Sequence, residues 1–192
     1  MNVTKILIAV ALITGPAFAQ TAAAPTATTA TYGDWTVNCT MATAATGDAT
    51  PVKVCETTTR LNLKGKDGQL HPLLQIAIGQ PPNAPAARVV LQLPIDVALR
   101  DPVALSLDKT PAADGQTSLP PQDDLLSASY LACAATGCLA DAEVSGSLLA
   151  RLQAAKTLNV TFSSRSGPRR ITVPVSLNGF GDALADLGLA AK

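Results

Sequence analysis

The stretch VKVCETTTRLNLKGKDG, residues 52–68, decides the fold class. Apolar and polar side chains alternate along residues 52–63, and Gly65 and Gly68 then bracket a polar turn. Because successive side chains of an extended strand point to opposite faces, this pattern predicts a half-buried strand followed by a tight turn. The face expected to be buried contains Val52, Val54, Thr57 or Thr59, Leu61 and Leu63. The face expected in solvent contains Lys53, Arg60, Asn62 and Lys64.

Similar short β-prone runs, separated by Pro, Gly and Asp, occupy most of the chain on either side of this stretch. The first run begins at Tyr32 and directs Trp35, the only tryptophan, into the core. Further strands are predicted over residues 73–78, 88–93, 103–107, 126–133, 157–163 and 169–175. The order of short strands and turns is typical of an antiparallel meander or sandwich.

Two helices complete the predicted fold. In residues 145–156, Leu148, Leu149 and Leu152 fall at helical spacing while charged side chains take the other face. Residues 178–187 predict a short C-terminal helix. The fold class is therefore mostly β, an antiparallel β-sandwich-like domain with one amphipathic helix and a short C-terminal helix.

Two proline-rich loops are long for such a domain. They cover residues 80–87 and residues 110–124. Long loops on a rigid scaffold often carry binding residues, and their other interpretation is plain surface connection.

The N-terminal residues have the three parts of a secretory signal. Lys5 supplies a positive charge, residues 6–13 are uninterruptedly apolar, and Ala17-Phe18-Ala19 fits a signal peptidase site. The apolar run is far shorter than the roughly 20 residues of a membrane span. We therefore expect a cleaved signal peptide over residues 1–19, a flexible Ala/Thr leader over residues 20–31, a single domain over residues 32–192, no transmembrane segment, and a periplasmic or secreted location.

Four cysteines remain after that cleavage, Cys39, Cys55, Cys133 and Cys138. An even number in an oxidising compartment predicts two disulfides, for which three pairings exist. We favour the local pairs, Cys39 with Cys55 and Cys133 with Cys138, because one turn or hairpin can bring each pair together. Zinc or redox chemistry is disfavoured, since the sequence has no Cys-x-x-Cys and one histidine. No metal or cofactor is expected.

Charge argues against nucleic acid as a partner, because the full chain has 14 basic and 14 acidic side chains. The one dense basic cluster is Arg165, Arg169 and Arg170. Beside a turn, such a cluster is more typical of a solvated strand end than of a phosphate site.

Catalytic patterns are equally scarce, and we expect no catalytic residues. His71 precedes Pro72 at a strand edge, where a surface role is the ordinary one. Asp123 and Asp124 are neighbours, so along a strand they point apart. No Gly-x-Ser-x-Gly, Ser-x-x-Lys or His-Glu-x-x-His motif is present. If a site is assembled from residues far apart in the sequence, the polar groups available for it are His71, Asp96, Asp101 and the arginines near Gly167.

Taken in order, the motifs resemble the invasion-associated locus B proteins of alphaproteobacteria. The similarity covers roughly residues 32–187 and departs from the family at Asp96, where Gly is usual, and in a Pro-rich insert over residues 110–121. The motifs that carry it are Tyr32-Gly33-Asp34-Trp35 with Cys39, Cys55-Glu56, Leu93-Pro94 with Leu99, Val103-Ala104-Leu105-Ser106-Leu107-Asp108, Cys133 with Gly137-Cys138-Leu139-Ala140, the helix at Leu148-Leu149, and Pro174-Val175-Ser176-Leu177-Asn178-Gly179-Phe180.

The resemblance implies an exported β-rich envelope domain with two disulfides and no established enzymatic activity. The family is named for host-cell invasion by pathogens, although members also occur in bacteria that invade nothing. We therefore expect a non-catalytic interaction module whose partner is another envelope protein or a host-cell surface component. The alternative is a periplasmic enzyme or small-ligand-binding protein whose site is assembled from dispersed residues.

Overall fold

A computed structural model of the chain describes residues 26–43, 51–107, 124–166 and 170–190. The expected signal peptide and most of the loop over residues 110–124 lie outside these ranges. The strands are β1 (Ala27–Tyr32), β2 (Trp35–Thr43), β3 (Pro51–Lys64), β4 (Leu70–Gly79), β5 (Ala87–Leu93), β6 (Val103–Leu107), β7 (Asp124–Ala134), β8 (Gly137–Val144), β9 (Thr157–Ser163) and β10 (Arg170–Ser176). The helices are α1 (Gly146–Ala154) and α2 (Phe180–Asp186).

The strands form one ten-stranded antiparallel sheet in the order β1-β2-β3-β4-β5-β8-β7-β6-β9-β10. The long strand β7 joins the two halves, because its last residues pair with β8 and its first residues pair with β6. Both halves contribute to one hydrophobic core, in which Ile78 and Val89 lie across a small void from Leu105 and Leu158. The mostly β, antiparallel fold class is confirmed, and its two layers are halves of one sheet folded over itself.

The N-terminal part of the domain is a hairpin where one strand was predicted. Gly33 and Asp34 turn the chain between β1 and β2, and Trp35 is fully buried as expected. The prediction of a flexible leader over residues 20–31 is wrong from Ala27 onward, because the residues of β1 pair with β2 along their whole length. Backbone hydrogen bonds to β2 hold this edge strand in place although its side chains are small and mostly exposed.

On β3 the predicted buried face is half right. Thr57 and Thr59 are buried and Leu61 is half-buried, but Val52 and Leu63 are exposed. Val52 and Val54 have the opposite parity to Thr57, so a regular strand turns them to the outer face. Leu63 lies beyond a register shift at Leu61 and Asn62 that breaks the alternation.

Strand β8 was not predicted. Its sequence, GCLADAEV, is poor in the β-branched and aromatic residues that favour strands. Pairing with β5 on one side and β7 on the other supplies the hydrogen bonds that its own composition does not favour.

Both predicted helices are present. The Ser145 hydroxyl accepts a hydrogen bond of 3.2 Å from the Leu148 backbone N–H and so caps α1, which buries Leu148, Leu149 and Leu152. Helix α2 buries Phe180 and Leu184. No helix in the described ranges is long and apolar enough to cross a membrane.

Candidate functional site

The connection between β5 and β6 lies against the end of β9, and this contact builds the site. Val97 forms an isolated antiparallel bridge with Ser164. The Ala98 N–H donates to the Ser163 carbonyl at 2.8 Å, and the Arg165 N–H donates to the Asp96 carbonyl at 3.1 Å. Residues far apart in the sequence are thereby held at one end of the β6–β9–β10 half of the sheet.

A cleft of about 940 Å³ opens on the outer face of this half. We call it the arginine cleft. It is lined by Ala98, Asp101, Pro102, Ala104, Ser127, Thr161, Phe162, Ser163, Ser164, Arg165 and Arg170.

Small side chains leave the space for the arginine cleft. Thr172, Thr161, Ala104 and Ser127 lie directly opposite one another on β10, β9, β6 and β7. Neighbouring strands are about 4.8 Å apart, so the three of these residues that line the cleft, Thr161, Ala104 and Ser127, form a floor roughly 10 Å long. The Thr161 and Thr172 hydroxyls are 2.9 Å apart and share a hydrogen bond, which fixes one end of the floor.

Two guanidinium groups stand beside this floor. Arg170 is the cross-strand neighbour of Ser163, and Arg165 follows Ser163 by two residues. Both side chains are exposed, and within the described ranges neither makes a hydrogen bond or a close ion pair. Both are therefore exposed arginines at the lining of the cleft.

Asp96 lies next to Arg165 but is engaged by other groups. The Ser164 hydroxyl donates to its carboxylate at 3.1 Å, and the Ser166 hydroxyl donates to the same oxygen. The hydrogen bond from Ser166 is the main reason that the pKa of Asp96 lies below its ordinary value, and the Arg165 charge adds to it. A carboxylate with a lowered pKa is a weak base, so its evident role is to hold the turn that presents Arg165.

Asp101 is the acidic side chain that lines the arginine cleft. It also acts on Tyr130, whose phenol pKa is raised first by burial and then by the Asp101 charge. The cleft contains two cationic side chains and one anionic side chain, which leaves it with a positive balance.

A second depression of about 580 Å³ adjoins the arginine cleft and shares Ala98, Asp101 and Arg165 with it. We call it the apolar groove. Its distinctive residues are Ile95 and Leu99, which are 60% and 56% exposed. The other residues that line it are Val97, Arg100 and Cys133.

The polar groups singled out in the sequence divide into two sets. Asp101, Arg165 and Arg170 line the arginine cleft. Asp96 does not line it but accepts a hydrogen bond from Ser164, which does. His71 lies apart in the β3–β4 hairpin, where its Nε2 is 3.1 Å from an Asp67 carboxylate oxygen. Arg169, Asp123 and the side chain of Asp124 lie outside the described residues.

The cysteines form the local pairs favoured from the sequence. Cys39 is bonded to Cys55 across β2 and β3, and Cys133 to Cys138 across the β7–β8 hairpin. Cys133 also lines the apolar groove, so the second disulfide stiffens its wall.

Sequence reasoning missed the small residues of the floor and the exposed pair Ile95 and Leu99. Nothing in a local pattern marks Ala104 or Ser127 as cleft residues, because the cleft depends on strand order. The proline-rich loop over residues 80–87 lines neither depression; it is folded by its own contacts, such as the Gln80 side chain donating to the Ala84 carbonyl at 2.8 Å.

Comparison with known proteins is informative at the level of family and fold. The family model described as invasion associated locus B protein matches residues 35–188. A crystal structure of invasion associated protein B from Bartonella henselae is similar with a TM-score of 0.60 and 21% identity, over 83% of this chain and 94% of that chain. At that identity the similarity concerns the fold. No curated protein matches the chain.

Proposed function

The chain belongs to the invasion associated locus B family, and from this premise we propose that it is an exported, non-catalytic interaction module that binds another protein of the cell envelope through the apolar groove. The observation that carries the proposal is the exposure of Ile95 and Leu99 at 60% and 56% on opposite sides of Val97 in one short connection.

Exposed apolar side chains that cluster around a depression are a common mark of a protein-binding surface. Val97, which is buried, and Cys133, which is exposed, line the groove between them. Arg100, Asp101 and Arg165 surround it with charge. An apolar centre with a polar rim is the usual anatomy of an interface.

The charge of the rim favours one kind of partner. Two arginines against one aspartate make the rim net positive. A complementary segment therefore presents apolar side chains flanked by acidic ones, since charge complementarity orients the encounter and rejects basic surfaces.

The proposal that the module is non-catalytic is supported by how the polar groups are used. The hydroxyls of Ser164 and Ser166 donate to Asp96, whose lowered pKa makes it a poor general base. His71 is turned to Asp67 in the β3–β4 hairpin instead of to a cleft hydroxyl.

Export is supported by the N-terminal pattern of residues 1–19 and by the two disulfides, which persist in oxidising compartments. Intact mass analysis of the protein recovered from its own species is expected to give a chain that begins at Gln20. A mass that includes residues 1–19 would contradict this part of the proposal.

The partner is tested by affinity capture of the tagged protein from chemically cross-linked cells, followed by mass spectrometry. The wild-type protein is compared with the double variant Ile95→Asp/Leu99→Asp. We expect one envelope protein to be captured by the wild type and lost from the double variant, because two carboxylates desolvated in an apolar contact cost several kcal/mol.

The matched control is Leu63→Asp/Leu70→Asp. These leucines are equally exposed, at 56% and 68%, but lie in the β3–β4 hairpin away from the groove. The control is expected to capture the same partner as the wild type. Loss of the partner from both variants, or from neither, refutes the apolar groove as the binding surface. Recovery of a host-cell protein in infection assays, in place of an envelope protein, would contradict the proposed class of partner.

A further inference from the structure

We propose that the arginine cleft is a binding site for an acidic saccharide, a sugar unit that bears a carboxylate or phosphate group. This site adjoins the apolar groove and shares Ala98, Asp101 and Arg165 with it, but its ligand does not depend on a protein partner. It uses the residues of the cleft that the proposed interface leaves unexplained, above all Arg170, Ser163, Thr161 and Ser127.

The dimensions fit a small ligand. A cleft of about 940 Å³ lies at the upper end of the range of small-molecule sites, roughly 300 to 1,000 Å³. Its floor is made of the small residues Ala104, Thr161 and Ser127, which lie in one cross-strand row. A floor about 10 Å long accommodates one or two pyranose rings.

The acid group is recognised by the guanidinium groups. Arginine binds carboxylates and phosphates with two parallel hydrogen bonds, and it remains charged at every physiological pH. Arg165 and Arg170 both line the cleft and make no close ion pair within the described ranges. The Asp96 carboxylate, whose pKa the Arg165 charge helps to lower, is already engaged by Ser164 and Ser166.

The hydroxyl groups of a sugar account for the rest of the lining. The Ser127 and Ser163 hydroxyls can each donate and accept a hydrogen bond, and the Thr161 hydroxyl, which already shares one bond with Thr172, keeps capacity for a further one. The Asp101 carboxylate accepts hydrogen bonds only, so it is unsuited to a bare anion but well suited to sugar hydroxyls. Ala98, Pro102 and Ala104 supply apolar surface for the C–H face of a ring.

The test is isothermal titration calorimetry of the purified, disulfide-bonded protein with four sugars and one ion. Galacturonate and glucose 1-phosphate distinguish carboxylate from phosphate as the preferred acid group. Galactose and glucose are the neutral counterparts, and inorganic phosphate is the bare anion. We expect at least one acidic sugar to bind at least about tenfold more tightly than its neutral counterpart and than phosphate.

Two variants locate the site. Arg165→Ala/Arg170→Ala is expected to weaken binding of the acidic sugar at least about tenfold. Asp101→Asn is expected to weaken binding of the same sugar without creating affinity for phosphate. Arg151→Ala, which removes an exposed arginine of α1, is the control and leaves binding unchanged. Thermal unfolding of each variant establishes that it is folded.

Several outcomes overturn the proposal. These are no binding of either acidic sugar at millimolar concentration, equal binding of the neutral sugars, equal binding of inorganic phosphate, or unchanged binding by the double arginine variant. Because the titration contains no partner protein, its failure leaves the interaction proposal standing, and loss of the partner in the capture experiment leaves this one standing.

Discussion

Thr57 shows how a single polar atom limits the stability of the core. It is fully buried on β3 between Val37 of β2 and Ile78 of β4, and its hydroxyl lacks a hydrogen-bond partner in the described structure. A buried polar group without a partner keeps its desolvation cost without any compensating bond. Threonine at this position therefore destabilises the fold relative to an apolar residue of the same shape.

We predict that Thr57→Val raises the free energy of unfolding by about 1 kcal/mol, measured by chemical denaturation. Thr58→Val is the matched control at the next position. The Thr58 hydroxyl accepts from the Asn38 side chain at 3.3 Å and donates to the Thr36 carbonyl at 3.4 Å, so its loss is expected to give no gain. A loss of stability in Thr57→Val would show that the hydroxyl has a partner.

Asp96 gives the molecule a specific response to acid. Hydrogen bonds from Ser166 and Ser164 stabilise its charged form, so its folded pKa lies below the ordinary 3.8. The unfolded state then binds the proton more readily than the folded state does. The stabilisation is complete above pH 3.8 and is lost as the pH falls through the lower folded pKa.

We predict that Asp96→Asn lowers the melting temperature near neutral pH, and that the difference from the wild type shrinks below about pH 4. Thermal unfolding followed by circular dichroism at a series of pH values measures the difference. A gap that stays constant down to about pH 2 would mean that the carboxylate charge is not what holds the Ser164–Ser166 turn.

At the scale of elements, the β1–β2 hairpin is locked to the segment that enters α2. The Asp34 N–H donates to the Asn178 carbonyl at 3.0 Å. Gly179 has φ +82°, and a Cβ atom there would lie 2.0 Å from the Tyr32 carbonyl oxygen. Only glycine combines that backbone conformation with so close an approach.

We predict that Gly179→Ala destabilises the protein by at least about 2 kcal/mol, because it adds steric overlap to an unfavourable positive φ. Gly146→Ala is the control in the other helix. A Cβ atom there meets nothing within 4 Å, and alanine is the better helix former, so stability is expected to stay or rise. Both variants are measured by chemical denaturation. An equal loss in the free energy of unfolding would show that the close approach of Gly179 to Tyr32 is not what requires glycine.

The two disulfides stabilise different elements to different degrees. Cys39–Cys55 closes a loop with a sequence separation of 16, whereas Cys133–Cys138 closes one with a separation of 5. In the chain-entropy model the longer loop stabilises by about 3 kcal/mol and the shorter by about 2 kcal/mol. Paired Cys→Ala substitutions at each bridge, compared by chemical denaturation, should reproduce this order; the reverse order would show that groove packing at Cys133 outweighs loop closure.

At the scale of the whole molecule, the opening and closing motifs of the sequence meet in space and close the folded sheet. The Trp35 indole N–H donates to the Ser176 carbonyl at 3.0 Å, although the two residues are 141 positions apart. The Trp35 and Phe180 rings pack with centroids 4.6 Å apart at 53°. This contact joins β2, near one edge of the sheet, to β10 and α2 at the other.

We predict that Trp35→Phe lowers the free energy of unfolding by about 2 to 4 kcal/mol, since it leaves a cavity in the core and removes the donor of a partly buried hydrogen bond to the Ser176 carbonyl. Unfolding must be followed by circular dichroism, because Trp35 is the only tryptophan. A change below about 1 kcal/mol would mean that the two edges close without this side chain.

The elements that depend on local patterns were predictable from the sequence. Alternation along residues 52–63 predicted β3, the spacing of Leu148, Leu149 and Leu152 predicted α1, and short sequence separations favoured both disulfides. Strands β1 and β8 were not predicted, because small or acidic residues dominate them and only pairing with their neighbours makes them strands.

The sequence by itself therefore determined the fold class, the family resemblance and the side chains available, including arginines near residue 167 and a single histidine. Tertiary structure alone decided which of these groups meet. Asp101, Arg165 and Arg170 share one cleft because β6, β9 and β10 are neighbours and because the β5–β6 connection is bonded to the end of β9. Strand order is a property of long-range pairing, and no local pattern encodes it.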